Sequence, residues 1–283
     1  MSIQFSPIVA ARAHGDGRAF SVHSIDLREL GERASPVVVL DDFRVSAPTF
    51  GPHPHAGFSA VTYVFDDSQG NLRSRDSLGN DIVMGPGGVV WTQAGGGVIH
   101  EELPAETGCE LHGLQVFVNL SSRNKLVAPQ VHELAKSQVP EWWSNAGDRV
   151  RVVVGSFEGL LSPLVPVEPF TFLDVGLRAN VSFNLRKAHN ALVYVVSGAV
   201  LVRADNRAQK LLGEQALALY DGGGRVTLEA LHPSQVVVLS GAEIREPTLV
   251  HGPFIMNERS QIEAAFARYR AGAMGQLAPV SAS

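Results

Sequence analysis

His53-Pro54-His55-Ala56-Gly57-Phe58-Ser59-Ala60-Val61-Thr62-Tyr63-Val64-Phe65 is the stretch from which the rest of the chain is best read. Its second half, residues 61–65, is a short β-branched and aromatic run, and such runs recur about every ten residues, the rhythm of a sandwich or barrel. Upstream the pattern starts at 37–40. Downstream it continues at 82–84, 89–92, 114–120 and 150–154, then at 170–175, 181–185, 192–196, 200–202, 216–219, 226–228 and 236–239. The segment itself has a second copy, Leu192-Val193-Tyr194-Val195-Val196. The turn that follows it, Met84-Gly85-Pro86-Gly87-Gly88-Val89-Val90, is matched by Leu219-Tyr220-Asp221-Gly222-Gly223-Gly224-Arg225-Val226. An all-β chain of two similar barrels follows, with domains at 1–136 and 147–283 and a linker at 137–146 that holds Pro140, Trp142 and Trp143. Helix is expected in two places only: a turn near 141–144, and 260–271, where Ile262, Phe266 and Tyr269 recur at helical spacing.

Composition agrees. The 283 residues suit two domains of roughly 100–150 each, and 28 glycines, many clustered, mark tight turns. A formal charge of −5 offers no basic footprint for direct nucleic-acid binding. Cys109 is the single cysteine, which excludes intrachain disulfides and thiolate-rich metal sites. Residues 1–18 lack a leader pattern and no apolar run is long enough for a membrane span. The expectation is a cytoplasmic protein.

The chemistry lies in two pairs. Residues two apart on an extended strand share a face, so His53 and His55 point into the barrel together. His100 and Glu102, in Gly95-Gly96-Gly97-Val98-Ile99-His100-Glu101-Glu102, do the same. Three imidazoles and a carboxylate suit one divalent transition metal: Fe(II), Mn, Ni, Cu or Zn. Glu101 faces the other way, as a rim or surface carboxylate, and becomes the ligand only if a bulge intervenes. Counting from the second copy's Tyr194 and Gly223, the four positions fall on Asn184, Arg186, Val236 and Val238, which make no ligand set. One barrel is expected to hold metal and the other none.

His53-Pro54-His55-Ala56-Gly57-Phe58, Arg75-Asp76-Ser77-Leu78-Gly79-Asn80, Ala94-Gly95-Gly96-Gly97-Val98-Ile99-His100, His112-Gly113-Leu114-Gln115 and the run from Arg245-Glu246-Pro247-Thr248 through Leu249-Val250-His251-Gly252-Pro253 to Phe254-Ile255-Met256-Asn257 resemble the pirin family over most of the chain. The resemblance implies a bicupin fold with one metal, iron first among the candidates, on His53, His55, His100 and Glu102 in the N-terminal cupin domain. It also implies quercetin 2,3-dioxygenase-type activity on a small aromatic, flavonol-like substrate, with Glu102 as ligand and catalytic base. The alternative is a non-enzymatic, metal-dependent regulatory protein that binds a transcription factor or an enzyme. Ala56 and Ser59 depart from the arginine and glutamate frequent in the family, which bears on the polarity of the pocket mouth. Phe58, Trp91, His112 and Phe117 are the candidate pocket residues; barrel packing is the plainer reading for the three aromatics, and for His112, which could instead orient a metal ligand, it is a satisfied loop histidine. His251 is expected to hold the C-terminal segment against a barrel, and His189 and His232 to sit at surface turns.

Overall fold

The structure, a computed structural model, describes residues 2–278 apart from Asp16 and Arg18. Contacts divide it into two units whose ends are exchanged relative to the expected boundaries. One holds 14–22, 41–136 and 244–283; the other holds 1–13, 23–40 and 137–243. The expected 1–136 and 147–283 coincide with these units over 14–22, 41–136 and 147–243.

The metal-candidate unit is built on two facing sheets. The larger runs Gln130–Leu134, Val89–Gln93, Phe58–Val64, Leu111–Asn119, Val37–Val45, Phe20–Ser24, Arg12–Gly15. The smaller runs His53–His55, Val98–Pro104, Leu72–Asp76, Asp81–Met84. All of Phe58–Val64 is buried. Between the sheets at one end lies an apolar cluster of Val45, Val64, Leu72, Met84, Val90 and Leu111. At the other end lie the histidines.

The predicted helix forms at Arg259–Arg270 and is started by a reciprocal capping box between Glu258 and Gln261. It buries Ile262 and Ala265 and rests Phe266 on Phe254, while Tyr269 faces outward, 39% exposed. Ala56, Phe254, Met256, Ile262, Ala265 and Met274 make one apolar cluster here. The C-terminal motif thus packs on the His53–His55 segment. His251 pairs with Phe254 in a short two-stranded sheet and sets its ring edge-on to Phe266.

The second unit is a ten-stranded sheet over a single apolar core. Four expected strands merge into two, His189–Ala204 and Gly224–Ala242, because the polar interruptions at Ser197 and Ser234 are carried as bulges. Gly198, at φ 90°, permits this: a Cβ there would sit 2.3 Å from Ser234 Oγ. The expected helical turn near 141–144 is instead the strand Glu141–Trp143, paired with Arg149–Val154, so the expected linker belongs to this sheet. His189 closes a turn, its N–H 3.2 Å from Arg186 O, and opens a long strand, whereas His232 is exposed but lies within a strand.

The repeat is real in register. Tyr63 pairs with Val89 and Leu114; Tyr194 pairs with Ala216 and Val237. Val236 and Val238 are therefore the counterparts of Gly113 and Gln115, and counting along the chain had placed them one strand away from the true equivalents of His100 and Glu102. The strand pair that corresponds to His53–His55 with Val98–Pro104 is Asn180–Leu185 with the first residues of Gly224–Ala242. Val181, Leu185, Val226 and Leu228 from that pair enter the apolar core. Hydrocarbon fills the second copy where the first carries imidazoles. No helix among the described residues is long and apolar enough to cross a membrane.

Candidate metal centre

The strand His53–His55 pairs antiparallel with Val98–Pro104, with His100 opposite His53 and Val98 opposite His55. Opposed residues share a face, and the two-residue step brings His55 onto it as well. The three rings are 4.7 Å apart, centroid to centroid, in every pairing. A ring nitrogen from each lies within 4.8 Å of the other two.

Carbonyl oxygens orient two of the rings. His53 Nδ1 is 2.9 Å from Gly51 O and His55 Nδ1 is 3.4 Å from Pro253 O. A carbonyl only accepts, so each Nδ1 carries the proton and each Nε2 presents a lone pair. His100 Nδ1 is buried with no hydrogen-bond partner among the described residues. Burial, the neighbouring His53 charge and, in opposition, the Pro253 carbonyl bring the His55 pKa down to about 3. Burial and the other two imidazoles hold His100 well below its ordinary value. His55 and His100 are therefore held neutral, and one buried nitrogen of His100 is unsatisfied. Such a donor set fits a borderline divalent cation.

Glu102 follows His100 on the same face, opposite Ser74. Its carboxylate lies outside the three-histidine group. Thr62 Oγ1 is 2.6 Å from Glu102 Oε2, and Ser74 also bonds to the carboxyl group. Burial raises the Glu102 pKa to about 7 against the pull of these two hydrogen bonds. The register runs unbroken through Glu101, so no bulge turns that residue inward. Glu101 is not a rim or surface group: it is 2% exposed and ion-paired with its cross-strand neighbour Arg75.

Of the four candidate pocket residues, two reach the site. Phe58 lies 4.9 Å and Phe117 5.3 Å from the His55 ring, and they stack on each other at 4.5 Å. Trp91 and His112 do not. Thr62 and Gln115, opposed in register, mark the inner face; Trp91 opposes Val61, one residue out of step, and His112 is out of step with Gln115. His112 instead bridges Asp67 at 2.6 Å and Asp42 at 3.0 Å. Ala56 is wholly buried in the apolar cluster under the helix, and Ser59 shares the outward parity of Val61. Neither of these departures lines the inner face.

The sequence reading missed Thr62, Ser74, Gln115 and Pro253. The first had a signal: a polar residue inside an otherwise apolar strand needs a partner when buried. Pro253 had none, because a backbone carbonyl leaves no mark in the sequence.

The chain matches two family descriptions, "Pirin" over residues 19–118 and "Pirin C-terminal cupin domain" over 172–275. Human pirin is 33% identical over 268 residues, covering 93% of this chain and 90% of that one. A Pseudomonas aeruginosa protein, provisionally named a quercetin 2,3-dioxygenase, is 33% identical over 255 residues, 86% of this chain and 88% of its own. Among solved structures, a quercetin 2,3-dioxygenase from Acinetobacter baumannii superposes with a TM-score of 0.87 at 28% identity, over 98% of this chain and 100% of that one. A nickel(II)-bound bacterial pirin from Escherichia coli shares the fold, with a TM-score of 0.65 at 19% identity over 85% of this chain and 100% of its own.

Proposed function

The chain belongs to the pirin family, and on that premise we propose that it is a mononuclear metal-dependent oxygenase of the quercetin 2,3-dioxygenase type. The observation that carries the reading is the meeting of His53, His55 and His100 on one inner face, with His53 and His55 oriented by carbonyls. Glu102 is the fourth ligand in this reading, and Fe(II) the first candidate among Fe, Mn, Ni, Cu and Zn. A metal held there supplies a Lewis acid for a flavonol hydroxyl. The remaining work belongs to the chain. Phe58 and Phe117 offer an apolar wall, beside His55, for a flat aromatic ring. Glu102 takes the hydroxyl proton, with Thr62 holding its carboxylate. The half-buried lone Cys109 suits a reducing compartment such as the cytoplasm.

The test is reconstitution with each of the five metals, followed by quercetin consumption, dioxygen uptake and carbon monoxide release. Turnover with one metal and none in His100→Ala is the expected result. Absence of turnover with every metal overturns the reading and moves the protein to the binding role, in which a protein partner replaces the flavonol.

A further inference from the structure

Thr62 stands in the middle of the wholly buried strand Phe58–Val64. Its hydroxyl meets two oxygens, Glu102 Oε2 at 2.6 Å and Gln115 Oε1 at 3.0 Å. The Gln115 amide is not free to turn, because its Nε2 donates to Val61 O at 3.1 Å and so aims Oε1 at Thr62. All three side chains issue from regular paired strands: Thr62 and Gln115 are opposed in the large sheet, and Glu102 comes from the facing one. Ser74, directly across from Glu102 in the small sheet, also bonds to the carboxyl group.

We infer that Thr62 is a positioning residue that pins Glu102 Oε2 and so determines which carboxylate oxygen is presented to the cation of the three-histidine group. The inference rests on the metal reading above and deepens it. A carboxylate on a flexible stem has several rotamers. A strand-borne hydroxyl at 2.6 Å, the shorter of the two contacts it makes, selects one of them. The neighbours that orient a ligand commonly change metal affinity by about 10- to 100-fold when removed. The shorter of the two contacts made by Thr62 is the one to Glu102, so its loss should act on the carboxylate and leave the three imidazoles in place.

Cobalt(II) is the probe, because the intensity and position of its visible bands report coordination number without any substrate. Thr62→Val keeps the shape and removes the hydroxyl; Thr62→Ser keeps the hydroxyl. The expected result for Thr62→Val is one cobalt per chain, an affinity reduced by roughly 10-fold, and a spectrum shifted toward that of Glu102→Gln. Thr62→Ser should match the parent. A parent-like spectrum and affinity in Thr62→Val overturns the inference, as does equal damage in the serine and valine variants. Thr62→Ala, which also removes the hydroxyl, is read in parallel: if Thr62→Val does not fold, a parent-like spectrum and affinity in Thr62→Ala overturns it instead. Cobalt binding and flavonol turnover are separate readouts. A normal cobalt response without turnover in the parent removes the oxygenase reading and leaves this one standing.

Discussion

The imidazole of His55 takes its orientation from the carbonyl of Pro253, 3.4 Å from Nδ1 and 198 positions further along the chain. The C-terminal motif is thus part of the candidate metal centre. Ile255 N donates to Ala56 O at 3.0 Å, which lays this segment along the strand that carries both histidines.

Gly57 is where that contact is most exposed to mutation. It has φ 86°, and an added Cβ would lie 1.9 Å from Ile255 O. Gly57→Ala should destabilise the protein by about 1–3 kcal/mol for the backbone alone. By displacing Pro253 it should also weaken metal binding by roughly 10-fold. Thermal unfolding and a metal titration on the same variant check both; unchanged metal affinity would separate the segment from the site.

Single substitutions His53→Ala, His55→Ala and His100→Ala should each abolish stoichiometric metal uptake. The fold should survive, because the rings are held by one another and by carbonyls rather than by the apolar core. Elemental analysis of the purified proteins beside their circular dichroism is the measurement. One metal per chain in any of the three would exclude that residue as a ligand.

The face argument predicts a contrast between two aromatics. Phe117→Leu should raise the KM for a flavonol, because the ring stands beside His55. Trp91→Phe should leave KM unchanged and lower stability instead, since Trp91 is 1% exposed on the opposite face. Steady-state kinetics and denaturant unfolding of both variants decide it.

In the second unit, Asp148 is 1% exposed and accepts from the backbone N–H groups of Arg178 and Ala179, both at 2.7 Å, and from Ser144 Oγ at 2.8 Å. Burial alone would raise its pKa; these donors outweigh burial and lower it. With the native value below the unfolded one, the unfolded chain binds more protons as the carboxyl titrates, so this stabilisation is present above about pH 4 and lost as pH falls through the native value. Asp148→Asn should cost about 1–3 kcal/mol at pH 7, and the difference should narrow below pH 4. Urea unfolding at pH 7 and pH 3 tests the sign: a gap that widens in acid contradicts it.

Much was legible in the chain itself. Val61–Phe65 and its copy at 192–196 announced two β units, and Tyr63 and Tyr194 do occupy matching registers. The two-residue steps His53 to His55 and His100 to Glu102 chose their faces before any strand was paired, because side-chain alternation is a property of a single strand. Which strands lie side by side, and in what register, is decided by packing between distant parts of the chain. Only that packing turned Trp91 and His112 outward, set Thr62 against Glu102, and brought Pro253 to His55. It also gave residues 244–283 to the unit of the histidines, a choice made where apolar groups such as Ala56, Phe254 and Met256 found their shared burial.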